Sequence, residues 1–241
     1  MDKNELTAIF ADVGGRYGYK TVTADFAAFR DFRVKWARTY RWAEFHVSDY
    51  LDNAPDIVLE ALADTIFGKI NNQDAPYPDI VCDWLTSSEF LESNQAVYIR
   101  RCPGVTTQTR GKHKDLIESY ERLIDMGLLE EDPELAIGWT RSSVSSRVGE
   151  ASVLMKVVTV NSKLDSDEVS DEMLDFCLYA QACHVARGFN PRGCRRNAQY
   201  GRILSLFPNR REIEKQIRGM SMRLRGGGVP LALTRPVIVR R

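Results

Sequence analysis

The sequence predicts an α+β fold, built on a small mixed sheet with most of its helices gathered late in the chain. Three features carry that reading. Residues 31–50 alternate apolar and polar side chains at the strand period of two. Residues 153–160 form a mainly apolar, β-branched run broken only by Lys156, as in a buried strand. Apolar stripes at helical spacing cover 58–70 and 114–129, and capped helical patterns follow residue 166.

In chain order, residues 1–30 read as an N-terminal extension, with Gly14-Gly15-Arg16-Tyr17-Gly18 a turn. Phe32, Val34 and Trp36 then alternate with Arg33, Lys35 and Ala37, and Phe45 and Val47 with Glu44, His46 and Ser48. Arg38–Arg41 between them makes a hairpin turn. Asn53-Ala54-Pro55-Asp56 starts a helix, with Asn53 as cap and Pro55 in the first turn. Residues 71–130 read as a helical insertion, with a short helix at Asp79–Leu85 and an amphipathic one from Lys114 to Leu129. Residues 136–140 and 147–149 suit short strands. Ser166 or Ser170 caps a helix that carries Asp171 and Glu172 in its first turn, where the helix dipole favours acids. That helix runs to about Gly188, and two more cover about 196–206 and 208–220. Residues 31–220 are expected to form one domain, and 221–241 a basic tail. No internal repeat is visible.

Hydrophobic residues make up 44% of the 241 and charged residues 27%, ordinary globular usage. No apolar run approaches the roughly 20 residues that span a bilayer, so no membrane association is expected and the cytoplasm is the expected location. The five cysteines (Cys82, Cys102, Cys177, Cys183, Cys194) are odd in number and form no C-x-x-C pair, which argues against a disulfide framework and a zinc ribbon. Net charge is zero but unevenly spread. Residues 185–241 hold 14 Lys or Arg against Glu212 and Glu214, so they bear +12 and residues 1–184 bear −12. The basic segment either packs on the acidic part of the chain or offers a surface to nucleic acid or an acidic partner.

Two blocks resemble the small SprT-like and minigluzincin metallopeptidases, of the zincin fold. One is His46-Val47-Ser48-Asp49-Tyr50-Leu51-Asp52-Asn53-Ala54-Pro55 with Val58-Leu59-Glu60-Ala61-Leu62-Ala63. The other is Val157-Val158-Thr159-Val160-Asn161, Leu164-Asp165-Ser166 and Leu174-Asp175-Phe176-Cys177-Leu178-Tyr179. The resemblance implies a sheet, a helix of the active-site type carrying H-E-x-x-H, and backing helices. In that motif two imidazoles one turn apart chelate zinc and the Glu takes a proton from the metal-bound water. A further His on the next helix completes the ligand set.

The corresponding window reads Ala180-Gln181-Ala182-Cys183-His184. Ala180 cannot coordinate, and the Gln181 amide has no basic site near neutral pH. Arg196 falls where the third ligand is implied, with Tyr200 after it. Of the functional groups only His184 survives, and Cys194 is the one residue placed to assist it. Cys177 lies two turns from His184, roughly 10 Å along the helix, too far to share one ion. No catalytic residue, metal or cofactor is therefore expected. His46 and His113 lack sequence partners and read as structural or solvated. The resemblance, with its motif emptied, implies a pseudoenzyme that binds a peptide or protein segment. A metallopeptidase with atypical ligands and a nucleic-acid binder using residues 185–241 are the alternatives.

Overall fold

The structure, a computed structural model, describes residues 1–73, 75–141, 146–191, 198–220 and 223. It is α+β, with two small mixed sheets. The described residues divide into two units, Met1–Asn94 and a second that begins at Gln95. The boundary falls inside helix α4, Ser88–Arg101. The expected single domain over 31–220 thus crosses the division, and residues 1–30 are integral to the first unit.

The first unit opens with α1 (Lys3–Arg16), capped by Asp2, whose carboxylate accepts from the Asn4 and Glu5 amides at 2.7 and 2.9 Å. The Glu5 carboxylate accepts from the Asp2 amide in return, completing a capping box. Three strands follow: β1 (Thr21–Ala27), β2 (Val34–Arg38) and β3 (Trp42–Ser48). Their order in the sheet is β1-β3-β2, with β1 parallel and β2 antiparallel to β3. The β2–β3 hairpin is the one expected from the alternation of 31–50. A 3-10 turn at Asp49–Leu51 leads to α2 (Asp56–Ile70). Asn53 is not its cap: Pro55 holds that position without a side-chain bond, and the Asn53 amide donates to Ser93 Oγ at 3.0 Å. Phe10, Phe45 and Phe67 meet in the core, with ring centroids 5.0 Å apart from α1 to β3 and from β3 to α2. The short α3 (Asp79–Leu85) lies where the sequence placed it.

The second unit repeats that plan. Helix α5 (Leu116–Asp125) precedes β4 (Ala136–Trp139), β5 (Gly149–Ser152) and β6 (Val157–Val160). Their sheet order is β4-β6-β5, again parallel on one side of the middle strand and antiparallel on the other. A 3-10 turn at Ser162–Leu164 leads to α6 (Asp171–Ala186). Even the register repeats: Thr21 pairs with Trp42 and Ala136 with Val157, 21 residues apart in each unit. Val47-Ser48 and Leu51-Asp52 of the first unit correspond to Val160-Asn161 and Leu164-Asp165 of the second. The two blocks that carry the family resemblance are therefore the same strand–turn–helix segment, present once in each unit. No repeat is visible in the sequence because backbone pairing, rather than side-chain identity, is what the units share.

Two expected boundaries move. The strand expected over 153–160 is only β6; residues 153–156 form the β5–β6 turn, closed by Lys156 at φ 44°. Val153, Leu154 and Met155 are buried in that turn, so apolar character alone did not mark a strand. Helix α5 ends at Asp125 because Gly127 takes φ 66°, and the Leu128 amide folds back to the Leu123 carbonyl at 3.0 Å. Two further helices, α7 (Ala198–Leu204) and α8 (Arg210–Gly219), complete the described part. Among the described residues no helix is long and apolar enough to cross a membrane.

Candidate functional site

Helix α6 is the centre of the second unit and is buried without a break from Met173 to Val185. A helix apolar on every side belongs in an interior, and this one is anchored at three levels. The Ser170 hydroxyl accepts from the Met173 amide at 3.2 Å, which fixes the start. One turn in, the buried Asp175 carboxylate accepts from Ser119 Oγ at 2.6 Å and from Arg122 Nε and Nη2 at 2.9 and 2.7 Å. That carboxylate is what raises the pKa of Arg122, and the forked contact ties α5 to α6. Near the far end, Tyr179 donates to the Ile203 carbonyl at 2.9 Å and Tyr200 to the Ala180 carbonyl at 2.8 Å, holding α7 on the helix.

The turn Ala180–His184 sits between these anchors. Ala180 is fully buried and presents a methyl group. Gln181 is 0% exposed and His184 4% exposed, and three residues apart they share a helix face. Neither amide atom of Gln181 and neither ring nitrogen of His184 has a hydrogen-bond partner among the described residues. The Tyr200 ring stacks on the imidazole, centroids 4.3 Å apart and planes 19° apart. Buried polar groups without partners cost about 1–3 kcal/mol each, so among the described residues this turn holds hydrogen-bonding capacity that nothing meets.

Strand β5 is pressed against the same turn. A Cβ built on Gly149 would lie 2.3 Å from the Thr159 carbonyl oxygen and 2.9 Å from Gln181 Cγ. Only glycine lets the strand come this close to the Gln181 side chain. The two edges of the sheet differ. The outer edge of β4 is covered by residues 104–108: the Trp139 amide donates to the Gln108 carbonyl at 2.9 Å and the Arg141 amide to that of Gly104 at 3.1 Å. Strand β5 forms the other edge, and just before it Arg147 makes an isolated parallel bridge with Arg223.

Burial holds the His184 imidazole well below its ordinary range, at a pKa of about 4, with the charge of Arg187 acting in the same direction. The ring is therefore neutral near pH 7, with burial as the leading cause. Between its unfolded value of 6.5 and about 4, the unfolded chain binds a proton that the folded chain refuses. Stability must then rise with pH across that window. The expected loss on going from pH 7.5 to pH 5 is about 2 kcal/mol from this group. Urea titrations of the parent and His184→Gln at both pH values check it: the variant should lose that part of the pH dependence, and an equal dependence in both refutes it.

Among the described residues the donor set does not fit zinc. Ala180 has no donor atom, and burial pushes the Cys183 thiol up to about 12 and the Cys177 thiol up as well, as for buried structural cysteines. Among the described residues no group of three His, Cys, Asp or Glu is placed to hold a metal ion. Cys194 and Arg196 lie outside the described residues, as does all of the tail except Arg223. Of the other histidines, His113 Nδ1 lies 2.8 Å from the Asp167 carboxylate and His46 Nε2 3.6 Å from Glu44. In the basic segment, α8 spends part of its charge internally, through Arg210–Glu214 at 2.7 Å and Lys215–Glu212 at 3.9 Å.

Comparison of the chain with family models, with curated proteins and with solved structures finds no match.

Proposed function

We propose that the second unit is a zincin-like domain of the SprT-like kind, emptied of its chemistry, that binds an extended peptide or protein segment along β5. One observation carries this reading. A buried turn with the spacing of a metal-binding motif presents Ala180, Gln181 and His184, and it is packed directly against an edge strand. The turn lacks the second imidazole and the carboxylate that metal-assisted hydrolysis requires. An edge strand, by contrast, binds extended backbone by strand addition with no catalytic group. Loss of the chemistry leaves that capacity in place.

The metallopeptidase alternative rests on His184 with a ligand from elsewhere, and metal analysis separates the two. Protein purified without chelator is expected to hold less than about 0.1 zinc per chain, since one imidazole cannot make a three-ligand site. A peptide selected by display on the full chain is expected to bind equally well with and without EDTA, and to remain intact. About one zinc per chain that disappears in His184→Ala, or hydrolysis of the peptide that EDTA stops, refutes the proposal.

A further inference from the structure

On the β4 side of the second sheet lies a cleft of about 750 Å³, bordered by the end of α4, the covering segment 104–108 and Ser162 at the start of the 3-10 turn. Arg100, Lys112 and Arg141 line it, and all three are exposed. Their main chains are fixed. Arg100 is in the last turn of α4, the Lys112 amide donates to Asp165 Oδ2 at 2.6 Å, and the Arg141 amide donates to the Gly104 carbonyl at 3.1 Å. None of the three forms an ion pair with a described residue. Lys114, Arg122, Arg147 and Lys156 of the same unit each hold a carboxylate. The contrast matters because acids outnumber Lys and Arg by 12 over residues 1–184. Asp165 is the carboxylate among the described residues of the cleft, and it is already occupied. It accepts from the Lys112, His113 and Lys114 amides at 2.6, 2.8 and 3.0 Å. A Cβ on Gly111 would overlap its carboxyl group, so the loop closes around Asp165 only with glycine there. The Ser162 hydroxyl makes no hydrogen bond to a described residue and is free to donate into the cleft.

We infer that this cleft binds the terminal phosphate group of a small phosphorylated molecule through Arg100, Lys112, Arg141 and Ser162. The site is on the opposite side of the sheet from β5 and does not depend on the peptide-binding reading. Three cations against one carboxylate leave the cleft two charges positive. A cleft lined by one sign of charge concentrates the counter-ion. A terminal phosphate carries about −1.5 to −2 near neutral pH and presents three acceptor oxygens, which matches that excess. A carboxylate brings one charge and two oxygens, so it would leave one of the cations unmatched. Guanidinium forks meet phosphate oxygens in pairs, and an ammonium adds a point charge. The volume falls within the range of small-molecule sites and leaves room for the organic part of the ligand.

The test is a nuclear magnetic resonance titration of the full chain with phenyl phosphate, with benzoate, the same ring bearing one charge, for comparison. Phenyl phosphate is expected to move the Arg141 and Ser162 amide signals with a single binding constant and to leave Ala151 in β5 unmoved. Benzoate should bind at least about tenfold more weakly, for want of the second charge. Arg100→Gln, Lys112→Gln and Arg141→Gln are each expected to weaken phenyl phosphate binding about tenfold or more. Arg141→Lys should weaken it less than Arg141→Gln, because it keeps the charge and loses only the fork. Arg202→Gln, which removes an exposed cation on α7, should leave binding unchanged. All the substituted side chains are exposed, so urea midpoints equal to the parent's are expected and separate lost binding from lost folding. The proposal is overturned by unmoved Arg141 and Ser162 signals at millimolar phenyl phosphate, or by benzoate binding as tightly. Weakening by Arg202→Gln as large as by Arg141→Gln overturns it too. So does a single-stranded oligonucleotide that moves these amides where phenyl phosphate does not, since the cleft would then read a polymer backbone.

Discussion

Gly138→Ala is expected to destabilise the second unit by about 3 kcal/mol, at the upper end of what overpacking costs. A Cβ there would fall 1.9 Å from the Thr106 carbonyl oxygen, 2.6 Å from its carbon and 3.0 Å from Thr107 Cα. All three are main-chain atoms of the segment that covers β4, so no rotamer change relieves the overlap. The segment must move away, and with it go the Trp139–Gln108 backbone bond and the bond from Trp139 Nε1 to the Thr109 carbonyl, at 2.7 Å. Gly15→Ala provides the control: it lies within α1, and a Cβ there meets nothing within 4 Å. Better helix propensity should make that change neutral or stabilising by up to about 1 kcal/mol. Urea midpoints of the two variants against the parent measure both effects, and a Gly138→Ala midpoint equal to the parent's refutes the overlap.

Asp175→Ala is expected to cost about 3 kcal/mol, near the lower bound for breaking a buried pair by removing one partner. The Asp175 side chain is 6% exposed, whereas that of Arg122 is 37% exposed, so the guanidinium can turn to water once abandoned. Ser119, 0% exposed, cannot, and its hydroxyl is stranded. A double-mutant cycle distinguishes these contributions. Asp175→Ala combined with Arg122→Ala should cost about 1–2 kcal/mol less than the two single changes added together. Strict additivity would mean that the forked contact contributes nothing and that α5 is held on α6 by the Ser119–Asp175 bond and apolar packing.

The elements most legible in the sequence were those whose period matched a half-buried surface. The alternation across Val34–Trp36 and Phe45–Val47 marked β2 and β3, and Ser170 with Asp171 and Glu172 marked the start of α6. Where apolar residues served another purpose, the reading overran. Leu128 and Leu129 extended α5 on paper because they pack back after the Gly127 turn, and Val153–Met155 lengthened β6 because they fill a turn. Helix α1 was hidden by Gly14 and Gly15, helix-weakening residues that read as a turn. Helix α4 went unseen in a stretch of mixed polarity. At the site, the sequence shows that Ala180, Gln181 and His184 stand where the resemblance implies H-E-x-x-H. Their burial, with no partner for Gln181 or His184 among the described residues, and the approach of Gly149 depend on tertiary placement that no local pattern encodes.

Building one plan twice gives the chain an internal blank for its own site. Counted from the first residue of each helix, Thr65, Ile66 and Lys69 of α2 stand where Ala180, Gln181 and His184 stand in α6. In the first unit that turn is settled: Thr65 donates to the Ala61 carbonyl at 2.9 Å, Ile66 is fully buried, and Lys69 lies over the Tyr77 ring. The strand position opposite Val47 is Val34, an ordinary packed side chain, where the one opposite Val160 is Gly149. One copy thus shows what the framework does when nothing is asked of that turn. Any behaviour of the second unit that survives Gln181→Ile and His184→Lys belongs to the framework, and whatever vanishes belongs to the site.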